Sequence, residues 1–155
     1  MPRYAESTSV SSDTSRAEIE RTLARYGAES FMYGWDRGRA IVGFIADGRQ
    51  VRFVLPLPDR EAREFTHTPE RGLARSQAQV EAAYEQAVRQ RWRALALVIK
   101  AKLEAVEAGI VTFEEEFGMH FMLPTGQTVH EWLGPQLDEV YAGGSMPALL
   151  PGGSS

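Results

Sequence analysis

Phe31, Tyr33 and Trp35 stand two residues apart. In an extended chain every second side chain points the same way, so a strand here presents three rings on one face. Aromatic rings on a sheet can stack the bases of single-stranded nucleic acid, while nearby arginines track the phosphates. Arg37, Arg39 and Arg52 lie in or beside the same strands and are the expected phosphate partners. A helix laid over that face would instead make the rings core.

A second basic group follows at helical spacing. Arg89, Arg93 and Lys100 share one face of a long helical pattern, with Arg91 and Lys102 nearby. Such a face can hold a phosphate backbone through charge-assisted hydrogen bonds. Its plainer role is a solvated helix surface, with Lys100 and Glu104 as an i,i+4 pair.

The acidic run Glu114, Glu115 and Glu116 with His120 is the remaining cluster of titratable groups. Adjacent carboxylates on a helix do not converge on a point, and a Glu116/His120 pair supplies only two ligands. No nucleophile elbow, P-loop, zinc-protease helix or dinucleotide fingerprint is present. The expectation is therefore a non-enzymatic protein with no cofactor and no metal.

Charge is unevenly spread. The chain has 155 residues and a formal net charge of −4, yet every Lys and Arg lies at or before Lys102. Between Arg37 and Lys102 the balance is +6, and after Lys102 it is −8. This asymmetry hints at a polyanion-binding surface or an acidic docking segment. There is no cysteine, which excludes disulfides, thiolate catalysis and Cys-ligated zinc. The chain has no apolar run of transmembrane length and no signal-peptide core at its start. The expected setting is the cytoplasm.

The elements that position these residues are read from periodicity and turn chemistry. The Ser-rich stretch 1–12 suggests a short edge strand or arm. A helix capped by Ser12 or Asp13 then runs to about Tyr26, with Ile19, Leu23 and Tyr26 on its buried face and Gly27 ending it. Three strands follow, around Phe31–Trp35, Ala40–Ala46 and Val51–Leu55. Asp47-Gly48 is a strong two-residue hairpin signal, pairing Ala46 with Arg49, Phe44 with Val51 and Val42 with Phe53. At the first turn, a three-residue Asp36-Arg37-Gly38 loop avoids placing an arginine at positive φ. It pairs Trp35 with Arg39, Tyr33 with Ile41 and Phe31 with Gly43. A slip of one residue would send the aromatics to the other face.

Pro56 and Pro58 end the sheet, and residues 59–75 suggest a long mobile loop. From Ser76 to about Ala108 the stripe Tyr84, Val88, Trp92, Leu95, Ile99, Leu103 and Val106 predicts one long helix, stopped by Gly109. A short acidic helix or turn over Phe113–Phe117, a strand near His120–Leu123 and a helix capped by Thr128 complete the pattern. Pro135 should kink that helix or start a fresh turn. The segment Met146–Pro151 is expected to dock on its own domain. The fold class is α+β: an antiparallel sheet of three to four strands, in the order β-α-β-β-β-α, packed on one long helix with a small C-terminal helical appendage. Residues 1–150 form one domain and 151–155 a disordered tail.

Several segments resemble a family of small phage and prophage proteins. They are Ser15-Arg16-Ala17-Glu18-Ile19-Glu20, Val51-Arg52-Phe53-Val54-Leu55-Pro56-Leu57-Pro58, the run Arg89 to Val106, and Phe113-Glu114-Glu115-Glu116-Phe117. That family carries no settled activity or catalytic motif. The resemblance implies a phage setting in a host cell, where nucleic-acid-binding and anti-defence proteins of this size are common. The expectation is single-stranded DNA binding, or alternatively a protein-interaction module directed at a host or phage protein. Neither needs a membrane, and the long amphipathic helix allows a homodimer.

Overall fold

In the computed structural model, residues 3–147 and 149–150 are described, with side chains from Ser12 onward. The chain runs α1 (Arg3–Arg25), β1 (Ser30–Asp36), β2 (Arg39–Ala46), β3 (Arg49–Pro56), α2 (Arg63–Thr66), α3 (Gln77–Glu107), α4 (Phe113–Phe117), a 3₁₀ turn (Gly118–His120) and α5 (Val129–Gly143). This is an α+β fold with a three-stranded antiparallel sheet and one long helix. No helix among the described residues is long and apolar enough to cross a membrane.

The long helix forms where its signals place it. The Ser76 hydroxyl accepts from the Gln79 N–H while the Gln79 side chain accepts from the Ser76 N–H, a capping box that satisfies two end donors. Gly109 follows the helix end at φ 77°, a left-handed position open to glycine. The stripe from Tyr84 to Leu103 is buried, and Val106 packs at its margin. It meets Ile19 and Leu23 of α1 and the sheet residues Ala40, Val42, Phe44, Val51 and Phe53. Phe117 of α4 closes one end, its ring edge-on to Phe44 and Phe53 at 5.8 and 6.2 Å.

Both hairpin turns have two residues. Asp47-Gly48 behaves as expected, giving the pairs Ala46–Arg49, Phe44–Val51 and Val42–Phe53. The first turn is Arg37-Gly38, not a three-residue loop, and Arg37 does take positive φ, 51°. Trp35 therefore pairs with Ala40, Tyr33 with Val42 and Phe31 with Phe44. Two-residue turns with both φ positive match the twist of paired strands, and this register puts the aromatic row on the core side.

Five other expectations change. α1 already runs from Arg3, so residues 3–12 are helical rather than a strand. The 59–75 segment is ordered: Phe65 is buried with its ring 5.8 Å from that of Tyr84, and Arg60 pairs with Glu81. Pro135 lies within α5, which continues past it. Met146, Pro147, Leu149 and Leu150 are exposed rather than docked, and α5 before them buries no residue; Ala148 and Pro151 lie outside the described residues. The expected strand near His120 is reduced to two isolated bridges, Met122 against Thr128 and Phe121 against Val51, the latter reinforced by the Met122 N–H donating to Gln50 O at 2.8 Å. It borders β3, and no strand among the described residues pairs with the other edge of β1.

Candidate nucleic-acid interface

The aromatic platform expected on β1 is not assembled. Phe31 and Tyr33 are half-buried against the core. The Tyr33 ring sits 5.3 Å from that of Trp92 on α3, and the Arg16 guanidinium of α1 lies 4.2 Å from its centroid. Trp35 is 39% exposed, and its indole Nε1 donates to the Tyr33 hydroxyl at 2.6 Å. Phe31 and Tyr33 are therefore held by the core and do not join Trp35 in a free platform. The cause is the register: the two-residue turn rotates the row inward, where half-burying Phe31 and Tyr33 gains roughly 1.5–3 kcal/mol together. That outweighs the roughly 1–2 kcal/mol needed to hold one arginine in the left-handed region.

Arg39 and Arg52 do not flank the rings either. They sit at positions of opposite parity, on the outer face of the sheet with Ile41, Gly43 and Val54. Arg39 lies 3.5 Å from Asp36, and Arg37, in the turn itself, 3.8 Å from the same carboxylate. Arg52 donates to Glu131 of α5 at 2.8 Å. Burial opposes ionisation of Glu131, but hydrogen bonds from Arg52 and Thr128 and the guanidinium charge overcome it and hold its pKa below the ordinary glutamate value.

The helix layer is different. Arg89, Arg93 and Lys100 are exposed on α3, on the side that meets α1. Arg21 and Arg25, one turn apart on α1, line with Lys100, Thr22 and Glu18 a groove of about 380 Å³. None of these five cations forms an ion pair among the described residues; Arg89 donates only to the Gln86 side chain, and Lys100 does not pair with Glu104. Several other cations in the fold are engaged, although Arg63, Arg71 and Arg75 of the 59–75 segment also lack an ion pair among the described residues. Arg49 lies 3.6 Å from Glu114, Lys102 3.0 Å from Glu116, and Arg91 donates to Pro56 O at 2.8 Å. Glu107, at the C-terminal end of α3, accepts from the Tyr26 hydroxyl at 2.6 Å; that bond raises the phenol pKa to about 12.

From Arg89 to Lys100 the helix advances about 16 Å, against about 3.4 Å per phosphate along one strand of a duplex. The face is long enough for several successive phosphates. Arg21 and Arg25 were missed in the sequence, although their i,i+4 spacing opposite the Ile19/Leu23 stripe was a usable signal.

The acidic run resolves into separate structural roles. Glu115 completes a capping box with Thr112, whose backbone and hydroxyl hydrogen bonds lower its pKa. Glu116 holds Lys102 and Glu114 faces Arg49. His120 stacks on Phe53, ring centroids 4.1 Å apart, and burial, then the Lys102 charge, lower its pKa. Among the described residues no group of three or more His, Asp or Glu is placed to hold a metal ion.

Comparison of the chain with family models, with curated proteins and with solved structures gives no match.

Proposed function

We propose that the protein binds the phosphate backbone of nucleic acid along the α1–α3 face, without reading bases. The observation that supports this is a concentration of unpaired charge: among the described residues, Arg21, Arg25, Arg89, Arg93 and Lys100 lie on the helix layer without an ion-pair partner, while Arg39, Arg49 and Arg52 of the sheet each have one. Unpaired cations can release the counterions of a polyanion on binding, and that release supplies most of sequence-independent affinity. The aromatic half of the expected site is spent on the core, so the groove recognises charge rather than exposed bases. The role is binding, with no chemical step assigned.

The test is fluorescence anisotropy with labelled oligo-dT and a duplex of equal length, each titrated with protein over a salt series. Binding at low salt is expected for both. The slope of log K against log salt should lie near about −3.5 for the single strand if all five cations engage phosphates, from about −0.7 per contact. Replacing Arg21, Arg25, Arg93 and Lys100 together by Ala should weaken binding at least tenfold, whereas Arg37→Ala should change little. No binding at low salt beside a working control protein, or a quadruple variant with unchanged affinity, overturns the proposal.

A further inference from the structure

The centre of the sheet's outer face is apolar and has no covering layer among the described residues. Met32, Ile41, Ile45 and Val54 project from it, and Met32 is 73% exposed. Gly34 and Gly43 leave a trough between them: a Cβ built on Gly34 would meet nothing within 4 Å. The resulting groove of about 440 Å³ is bordered by Met122 and Arg52. An antiparallel sheet with one solvated face ordinarily presents polar residues there, and a contiguous apolar patch marks an interaction surface.

The same chain carries a matching unpartnered element. α5 has 15 residues and buries none. Val129, Trp132, Leu133, Leu137, Val140 and Tyr141 fall on one half of its circumference, and Val140 and Tyr141 are 61% and 66% exposed. A helix with one apolar half is stable against a second apolar surface, not in water. Its first turn is already tied to the outer face through Glu131 and Arg52, yet the rest of it stands off the strands.

We infer that the outer sheet face of one copy receives α5 of a second copy, so that the protein is a two-fold dimer with two equivalent helix-on-sheet contacts. The dimensions agree: 15 helical residues extend about 22 Å, and an 8-residue strand about 26 Å. The charges agree as well. The outer face carries Arg39 and Arg52 against Asp36, while α5 carries Glu131, Asp138 and Glu139 and no Lys or Arg. Two α5 helices brought together therefore repel, whereas the outer face offers α5 no excess of like charge. A two-fold axis makes each contact occur twice. This inference uses a surface distinct from the α1–α3 groove and stands independently of nucleic-acid binding.

Light scattering over a wide protein concentration range tests it. The mass should rise from 17.2 kDa towards twice that value. Met32→Glu and Val140→Glu, both at exposed positions, should each keep the native circular dichroism and each shift the midpoint at least tenfold upward. Mixing the two variants should restore part of the dimer, because the mixed pair retains one unaltered face-to-helix contact. A monomer at every concentration overturns the inference. So does a dimer indifferent to Met32→Glu. So does sensitivity to Met32→Glu without sensitivity to Val140→Glu, the signature of a face-to-face or foreign-protein surface. Failure of the mixture to re-form dimer also counts against it.

Discussion

The indole Nε1 of Trp35 donates to the Tyr33 hydroxyl at 2.6 Å, tying together two rings that point the same way from one strand. Tyr33 is in turn held between the Trp92 ring and the Arg16 guanidinium. The chain of contacts runs from the exposed end of β1 to the centre of the core. Trp35→Phe removes the donor and keeps an aromatic ring, so it should cost about 0.5–1.5 kcal/mol, the usual net worth of one hydrogen bond. A double-mutant cycle with Tyr33→Phe, read by urea unfolding, should recover a coupling energy of similar size. Strictly additive losses would show that the bond contributes nothing.

Arg37 occupies the left-handed region at φ 51° beside Gly38 at φ 76°. Asparagine tolerates that region and Asn-Gly favours this turn, so Arg37→Asn should stabilise by about 0.5–1 kcal/mol. The measurement is the urea midpoint with the slope unchanged. A lower midpoint would mean that the Arg37 side chain contributes more than its backbone strain removes.

These two residues also explain how much of the fold could be read from the chain. The long helix was legible end to end because its capping pair, its stripe and Gly109 all point to one answer. The second hairpin was legible for the same reason, since Asp47-Gly48 has no competing turn. The first hairpin set a local preference against a tertiary gain. Avoiding positive φ at Arg37 saves about 1–2 kcal/mol, and packing Phe31 and Tyr33 against the core gains more; only the folded core contains the second term. The 59–75 segment was unreadable on similar grounds: its order comes from Phe65 reaching Tyr84 and Arg60 reaching Glu81, partners far along the sequence. At the candidate site, the rule that alternate residues share a face held, but the face was wrong. The α3 cations Arg89, Arg93 and Lys100 were found, and their α1 companions became visible only once the two helices lay side by side.

Trp92 is completely buried, and its Nε1 has no hydrogen-bond partner among the described residues. Trp92→Phe leaves a smaller ring and a cavity, but it also removes an unsatisfied donor worth roughly 1–3 kcal/mol. The two effects oppose each other, so the variant should lie within about 1 kcal/mol of the parent, whereas Trp92→Ala should lose about 3–5 kcal/mol. Circular dichroism is the suitable probe, since the substitution removes a fluorophore. A loss for Trp92→Phe as large as for Trp92→Ala would point to a hidden partner for the indole.

His120 has a pKa below the ordinary histidine value of 6.5 because it is partly buried on Phe53 and faces the positive Lys102. The unfolded chain thus binds a proton more readily than the folded one. Stability is complete above the ordinary histidine pKa and falls as pH drops from there through the lowered folded value. His120→Gln should flatten that part of the curve. The depressed carboxylates Glu115 and Glu131 act lower, below the ordinary glutamate value of 4.5, so their losses begin only after the histidine step. Unfolding midpoints collected across this range would separate the two, and an unchanged profile in His120→Gln would exclude the histidine as the source.

The bridge between Val51 and Phe121 joins positions seventy residues apart, whereas each hairpin closes over two. Closing a short turn is fast, and a contact across seventy residues must wait for its loop entropy to be overcome. The meander can therefore exist before its last border is set. In pulsed hydrogen exchange during refolding, the amides exchanged between β2 and β3 should become protected ahead of the Met122 amide that closes on Gln50. The C-terminal third would then act as a latch, recording that the rest of the chain has already found its register.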